Sequence, residues 1–131
     1  MATGNLDNFG GYQKALRLFD AVSDDCIALR EHPELRRLIA QQLAAANSVC
    51  ANIEEGYGRG SRKEFIQFLT YSRGSANEVR GRCKRMGKWM KREILDDRVH
   101  LAEEVVALLT STIETLRKKL KDAPGTRTRA S

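Results

Sequence analysis

Two prolines in 131 residues leave almost nothing to interrupt a long helix. Aromatic residues are also scarce, at 6%, and only Tyr57 and Trp89 stand where a nucleotide base could use them, so sequence-specific reading by stacking is not expected. No apolar run approaches the roughly 18 residues that a membrane span requires. Met1 to Gly11 is polar and lacks the apolar region of a signal peptide, so the expected location is the cytoplasm. The three cysteines, Cys26, Cys50 and Cys83, are odd in number and far apart, and each falls on the apolar side of a helical pattern. They read as buried small hydrophobes. Neither His32 nor His100 lies near a cysteine in sequence. The paired short spacings of a zinc site are therefore missing, and neither metal nor cofactor is expected.

What is present is charge and helical period. A chain of 131 residues is one domain by the usual range of about 100 to 200. With 41% hydrophobic and 31% charged residues it is too apolar for wholesale disorder and fits a charge-rich helical protein. The formal charge of +6 is unevenly placed. Between Arg59 and Arg92 eleven Lys and Arg face two acids, Glu64 and Glu78, so that segment carries +9 and the remainder −3. Clustered cations gain by releasing counterions from phosphate backbones, which points to a polyanion partner.

Residues 1–11 contain three glycines and no periodic pattern, and read as a flexible arm. Steps of three and four residues then line up Tyr12, Leu16, Phe19, Val22, Cys26 and Leu29, predicting helix one over 12–31. His32-Pro33 stops it and starts helix two, 33–55, because the residue before a proline avoids helical geometry while proline suits a first turn. Gln42 and Asn52 fall within the apolar stripe of helix two. Each is expected to satisfy a backbone group inside the bundle, with register or oligomer specification as the alternative. Gly56, Gly58 and Gly60 supply a structural turn. Ser61 is then an N-cap with Glu64 completing a capping box, so helix three spans 62–86. Gly74 and Gly81, each costing about 1 kcal/mol against alanine, suggest close approach of a partner backbone. Gly87 to Met90 forms a turn anchored by Trp89. Helix four covers 92–121 with two apolar rows, more than one neighbour needs, which favours an oligomer. Residues 122–131, with Arg127 and Arg129, read as a disordered basic tail. Four helices on short connections give an all-α, up-down-up-down antiparallel bundle.

The run from Ser48 to Leu69 also carries a resemblance. Asn52-Ile53, Glu55-Gly56-Tyr57-Gly58-Arg59 and Ser61-Arg62-Lys63-Glu64-Phe65-Ile66 with Phe68-Leu69, followed by Gly74-Ser75 and preceded by Tyr12-Gln13-Lys14-Ala15, resemble the signature of the bacterial four-helix bundle family, also called the 23S ribosomal RNA intervening-sequence protein family. The chain departs from the pattern at Val49-Cys50-Ala51, where Ile-Pro-Ser is common, and at Glu54, where alanine is common. The resemblance implies a homopentamer ringed around a channel and no enzyme activity. The related accessory proteins of diversity-generating retroelements are basic pentamers that bind nucleic acid and a reverse transcriptase. That implies nucleic acid, RNA first, as a partner, with a nucleic-acid-processing protein as a further one.

No catalytic constellation is found. The glycine-rich turn lacks the lysine-serine pair and the preceding strand of a phosphate-binding P-loop, although Ser61, Arg62 and Lys63 at a helix start remain a candidate anion site. Glu54 and Glu55 point about 100° apart and are expected to pair helix ends or subunits rather than act as acid and base. The preferred site is the basic face of helix three: Arg73, Arg80, Arg82, Lys84, Arg85 and Lys88, contacting phosphates. The alternative is a scaffold or adaptor ring that recruits a protein without touching nucleic acid.

Overall fold

The computed structural model describes residues 6–122, and among them are four α-helices and no strand. They are α1 (Gly10–Leu29), α2 (Arg36–Gly58), α3 (Arg62–Arg85) and α4 (Arg92–Asp122). Cross-helix bonds fix the directions. Tyr12 meets Glu54 and Cys26 meets Ile39; Gln42 meets Val79 and Ser48 meets Ser75; Arg73 meets Thr110 and Arg80 meets Glu103. In each pair of helices rising numbers meet falling ones, so successive helices run antiparallel, and Lys14–Glu104 with Asp25–Arg98 close α1 onto α4.

One core runs through the bundle, with Leu18, Val22, Val49, Ile53, Leu69, Val79, Val105, Leu109 and Ile113 fully enclosed. A smaller cluster of Leu29, Leu35 and Met86, with Trp89 against it, closes one end, so Trp89 is the expected anchor. The second apolar row of α4, Leu101, Val105, Leu108 and Thr112, was expected to need a partner subunit. Its Leu101 and Val105 are buried inside the bundle, because α4 packs against both α1 and α3; only Leu108 of that row is exposed.

Three stretches differ most from the sequence reading, and α1 also stops at Leu29, two residues short of its expected end. The arm was expected to be loose to residue 11, but Leu6–Asn8 forms a short 3-10 turn and α1 begins at Gly10. Phe9 folds back edge-on to Phe65 at 6.3 Å, and Gly11 is buried beside it, where a Cβ would meet the Phe9 ring at 2.8 Å. These apolar contacts fall outside the helical period, which is why the pattern missed them. The first five residues of that arm, and the expected tail from 123 onward, lie outside the described residues. Pro33–Leu35 is a 3-10 turn, with α2 starting behind it.

The third difference concerns the glycines. Gly56 and Gly58 lie within α2, and the turn is confined to Arg59, Gly60 and Ser61. Gly60, at φ +85°, is the one described residue in the left-handed region. Gly56 serves packing instead: a Cβ there would sit 2.6 Å from that of Phe68. Ser61 caps α3 as expected, accepting the Glu64 N–H at 3.2 Å.

Candidate functional site

α3 presents cations on two flanks. Residues seven and four apart share a helix face, so Arg73, Arg80 and Lys84 line the side toward α4. Arg73 donates to the Thr110 hydroxyl at 3.2 Å, and Arg80 donates to the Glu103 carboxylate at 3.2 Å. The Nε atoms of both Arg80 and Arg82 are buried and have no partner among the described residues. Lys84 lines a groove with Arg92, Asp96, His100 and Glu103. Arg85 is exposed and Lys88 lies over the Trp89 ring, 5.0 Å from its centroid.

Arg82 does not join this stripe. It sits about 160° to 180° around the helix from Arg80 and Arg73 and donates to the Gln42 side-chain oxygen at 3.1 Å. Gln42, only 3% exposed, also donates to the Val79 carbonyl at 3.0 Å and to Cys83 Sγ at 3.2 Å. The amide thus satisfies groups inside the bundle, as expected, and takes one predicted phosphate ligand with it. Asn52 turns back on its own helix, donating to Ser48.

The candidate anion site at the start of α3 is already furnished with an anion. The Ser61 hydroxyl reaches the Glu64 carboxylate at 3.2 Å, and Arg59 lies 3.8 Å from the same group while pairing with Glu55 at 3.1 Å. Glu55 therefore pairs a helix end. Glu54 does the same by accepting a 2.6 Å hydrogen bond from Tyr12, which, with partial burial, pushes the tyrosine pKa up to about 12. The departure from the family pattern at Glu54 thus gains a partner within the chain.

Antiparallel packing adds a set of residues that sequence spacing did not assemble. Lys63, Ile66, Gln67, Thr70 and Tyr71 of α3 and Arg117 of α4 line an open groove of about 440 Å³. Tyr71 is 49% exposed, its ring held edge-on against Phe68 at 5.6 Å and its oxygen accepting from Gln67 at 2.8 Å. The available signals were the basic last turns of α4 and the i, i+4 series Lys63, Gln67, Tyr71.

The remaining reactive groups are held in the frame. Cys26, Cys50 and Cys83 are buried free thiols, and burial raises all three pKa values, Cys50 and Cys83 to about 11. Arg98 forks onto Asp25 at 2.8 and 3.0 Å with both side chains mostly buried, tying α4 to α1 and holding the guanidinium above its ordinary range. Among the described residues no three His, Cys, Asp or Glu side chains converge as a metal would require, and no helix is long and apolar enough to cross a membrane.

A profile described as 23S rRNA-intervening sequence protein matches residues 7–122, nearly the whole chain. The chain belongs to that family. One solved structure similar to this chain is that of a protein with unknown function from the S23 ribosomal protein family of Bacteroides thetaiotaomicron VPI-5482, with a TM-score of 0.74 and 24% identity. The alignment covers 79% of this chain and 97% of that one, and the likeness speaks for the fold. Among curated proteins, none matches.

Proposed function

We propose that this protein is a non-catalytic homo-oligomer, a ring of five in the reading its family resemblance suggests, that binds nucleic acid, RNA first, along the basic face of α3. The observation that carries the reading is the +9 charge of residues 59–92, because most of it reaches the surface. Lys63, Lys84, Arg85 and Lys88 are exposed, and Arg80 holds a half-exposed pair with Glu103. A helix that was only solvated would interleave signs in i, i+4 pairs. Gly74 is exposed, with nothing within 4 Å of where a Cβ would stand, and leaves the same face open to close approach by a ligand.

Self-association has separate support. The large aliphatic side chains left exposed among the described residues, Leu16, Ile27, Ile94 and Leu108, all belong to α1 and α4. Subunits joined there would leave α3 outward, and a repeated basic face would multiply modest affinity by avidity. That same apolar face favours the second reading, an adaptor ring that recruits a protein.

An electrophoretic shift against single- and double-stranded RNA and DNA at two salt concentrations separates them. Binding with a steep salt slope supports the nucleic-acid reading, and no binding at low salt refutes it. Arg80→Glu, Lys84→Glu and Arg85→Glu together should abolish the shift and leave the light-scattering mass unchanged. A wild-type mass of one subunit refutes the ring.

A further inference from the structure

We infer that the groove between the start of α3 and the end of α4 is a binding site for single-stranded RNA, with a base stacked on Tyr71 and adjoining phosphates held by Lys63 and Arg117. It rests on the nucleic-acid reading above and adds to it the form of the strand and the place where it lies.

Three observations meet in this groove. The first is charge: of its six lining residues two are cations and none is an acid, whereas the groove at the other end of the α3–α4 seam sets Asp96 and Glu103 against Lys84 and Arg92. Lys121, one turn beyond Arg117 on α4, continues the positive edge. The second is an exposed ring that is already oriented. The Phe68 edge contact and the Gln67 hydrogen bond hold Tyr71 in place while half of it faces solvent, so a base can stack without ordering a mobile side chain first. A duplex keeps its bases stacked on one another and offers none to such a platform.

The third is the set of polar atoms beside the ring. Gln67 gives its amide N–H to Tyr71 and keeps its carbonyl oxygen as an acceptor, and Thr70, donating to the Ile66 carbonyl at 2.8 Å, keeps its hydroxyl lone pairs. Acceptors beside a phosphate-binding groove suit the 2′-hydroxyl, a donor that DNA lacks. The chain's own continuation beyond Asp122 is a poor occupant, since residues 123–131 carry Arg127 and Arg129 and no acidic side chain.

The test uses the full chain and fluorescence anisotropy with labelled oligouridylate, the matching oligodeoxythymidylate and an RNA duplex, with light scattering in parallel. Tyr71→Ala should lower affinity for oligouridylate about tenfold, the effect of removing one stacking partner, and leave duplex affinity unchanged. Tyr71→Phe should keep it within about twofold, because the stacking ring remains. Oligodeoxythymidylate should bind several-fold more weakly than oligouridylate. Ultraviolet crosslinking of the wild-type protein to oligouridylate should mark the peptide that contains Tyr71, a readout independent of any variant.

If Tyr71→Ala binds oligouridylate as well as wild type while the triple glutamate variant of α3 does not, the groove is wrong and the nucleic-acid reading stands. Wild-type binding to the duplex alone also overturns the groove. No binding to any probe overturns both. A Tyr71→Ala protein of reduced mass overturns the inference by making this face a contact between copies.

Discussion

The two flanks of α3 use arginine in opposite ways. Toward α2, Arg82 is drawn into a buried polar seam with Gln42, where Ser72 also donates to the Val49 carbonyl at 2.7 Å and Ser75 meets Ser48 at 3.0 Å. Toward α4, Arg73 meets a threonine, and Arg80, which lines an open groove, meets a single carboxylate. A count along the chain treats Arg80 and Arg82 alike. Each keeps a buried Nε without a partner among the described residues, so the difference lies in the nitrogen that is paired: Arg82 gives its to a buried amide, whereas Arg80 gives its to a half-exposed carboxylate that a ligand can replace.

The sharpest way to break the contrast is to add one methyl group to the tight flank. Gly56→Ala should destabilise the fold by about 3 kcal/mol, because its Cβ would lie 2.6 Å from that of Phe68 and 3.4 Å from the Phe65 carbonyl oxygen, leaving little that can give way. The same substitution at Gly74 meets nothing within 4 Å and should instead stabilise α3 by about 0.8 kcal/mol. Urea unfolding of the two variants checks both signs. Equal effects would mean that the α2 flank is no tighter than the outer face.

Gln42→Ala comes next. It removes three hydrogen bonds at one buried position, leaving Arg82 without its acceptor, and should cost about 2 kcal/mol in the same assay. Nucleic-acid affinity should not change, since the α2 flank is structural. A loss of affinity with intact stability would return Arg82 to the binding face.

The sequence announced the helices well and the site only in part. The Ser61–Glu64 capping box placed the start of α3 on its residue, because a cap is a local signal. The turn was overdrawn, since glycine that permits a bend and glycine that permits contact look alike until Phe68 is seen against Gly56. The cations of α3 could be counted, but their neutralisation could not. Glu103 and Asp96 reach the groove from α4, and Arg117 joins Lys63 from its far end, all through tertiary contact that no local pattern records.

The smallest expected effect tests that neutralisation directly. Glu103 accepts the one hydrogen bond that the Arg80 guanidinium makes among the described residues, and its side chain is about half exposed, so the pair contributes little to stability, below about 1 kcal/mol. Glu103→Gln removes a negative charge from the groove and releases Arg80 toward an incoming phosphate. Affinity for nucleic acid should rise about threefold at low salt and the gain should shrink as salt is added, because the change is electrostatic and partly exposed. Anisotropy titrations at two ionic strengths measure this. If affinity stays level while Lys63→Glu weakens binding, the bound strand follows the Tyr71 end of the seam and leaves the Arg80 end uncovered; if it falls, Glu103 serves the site by holding Arg80 in place.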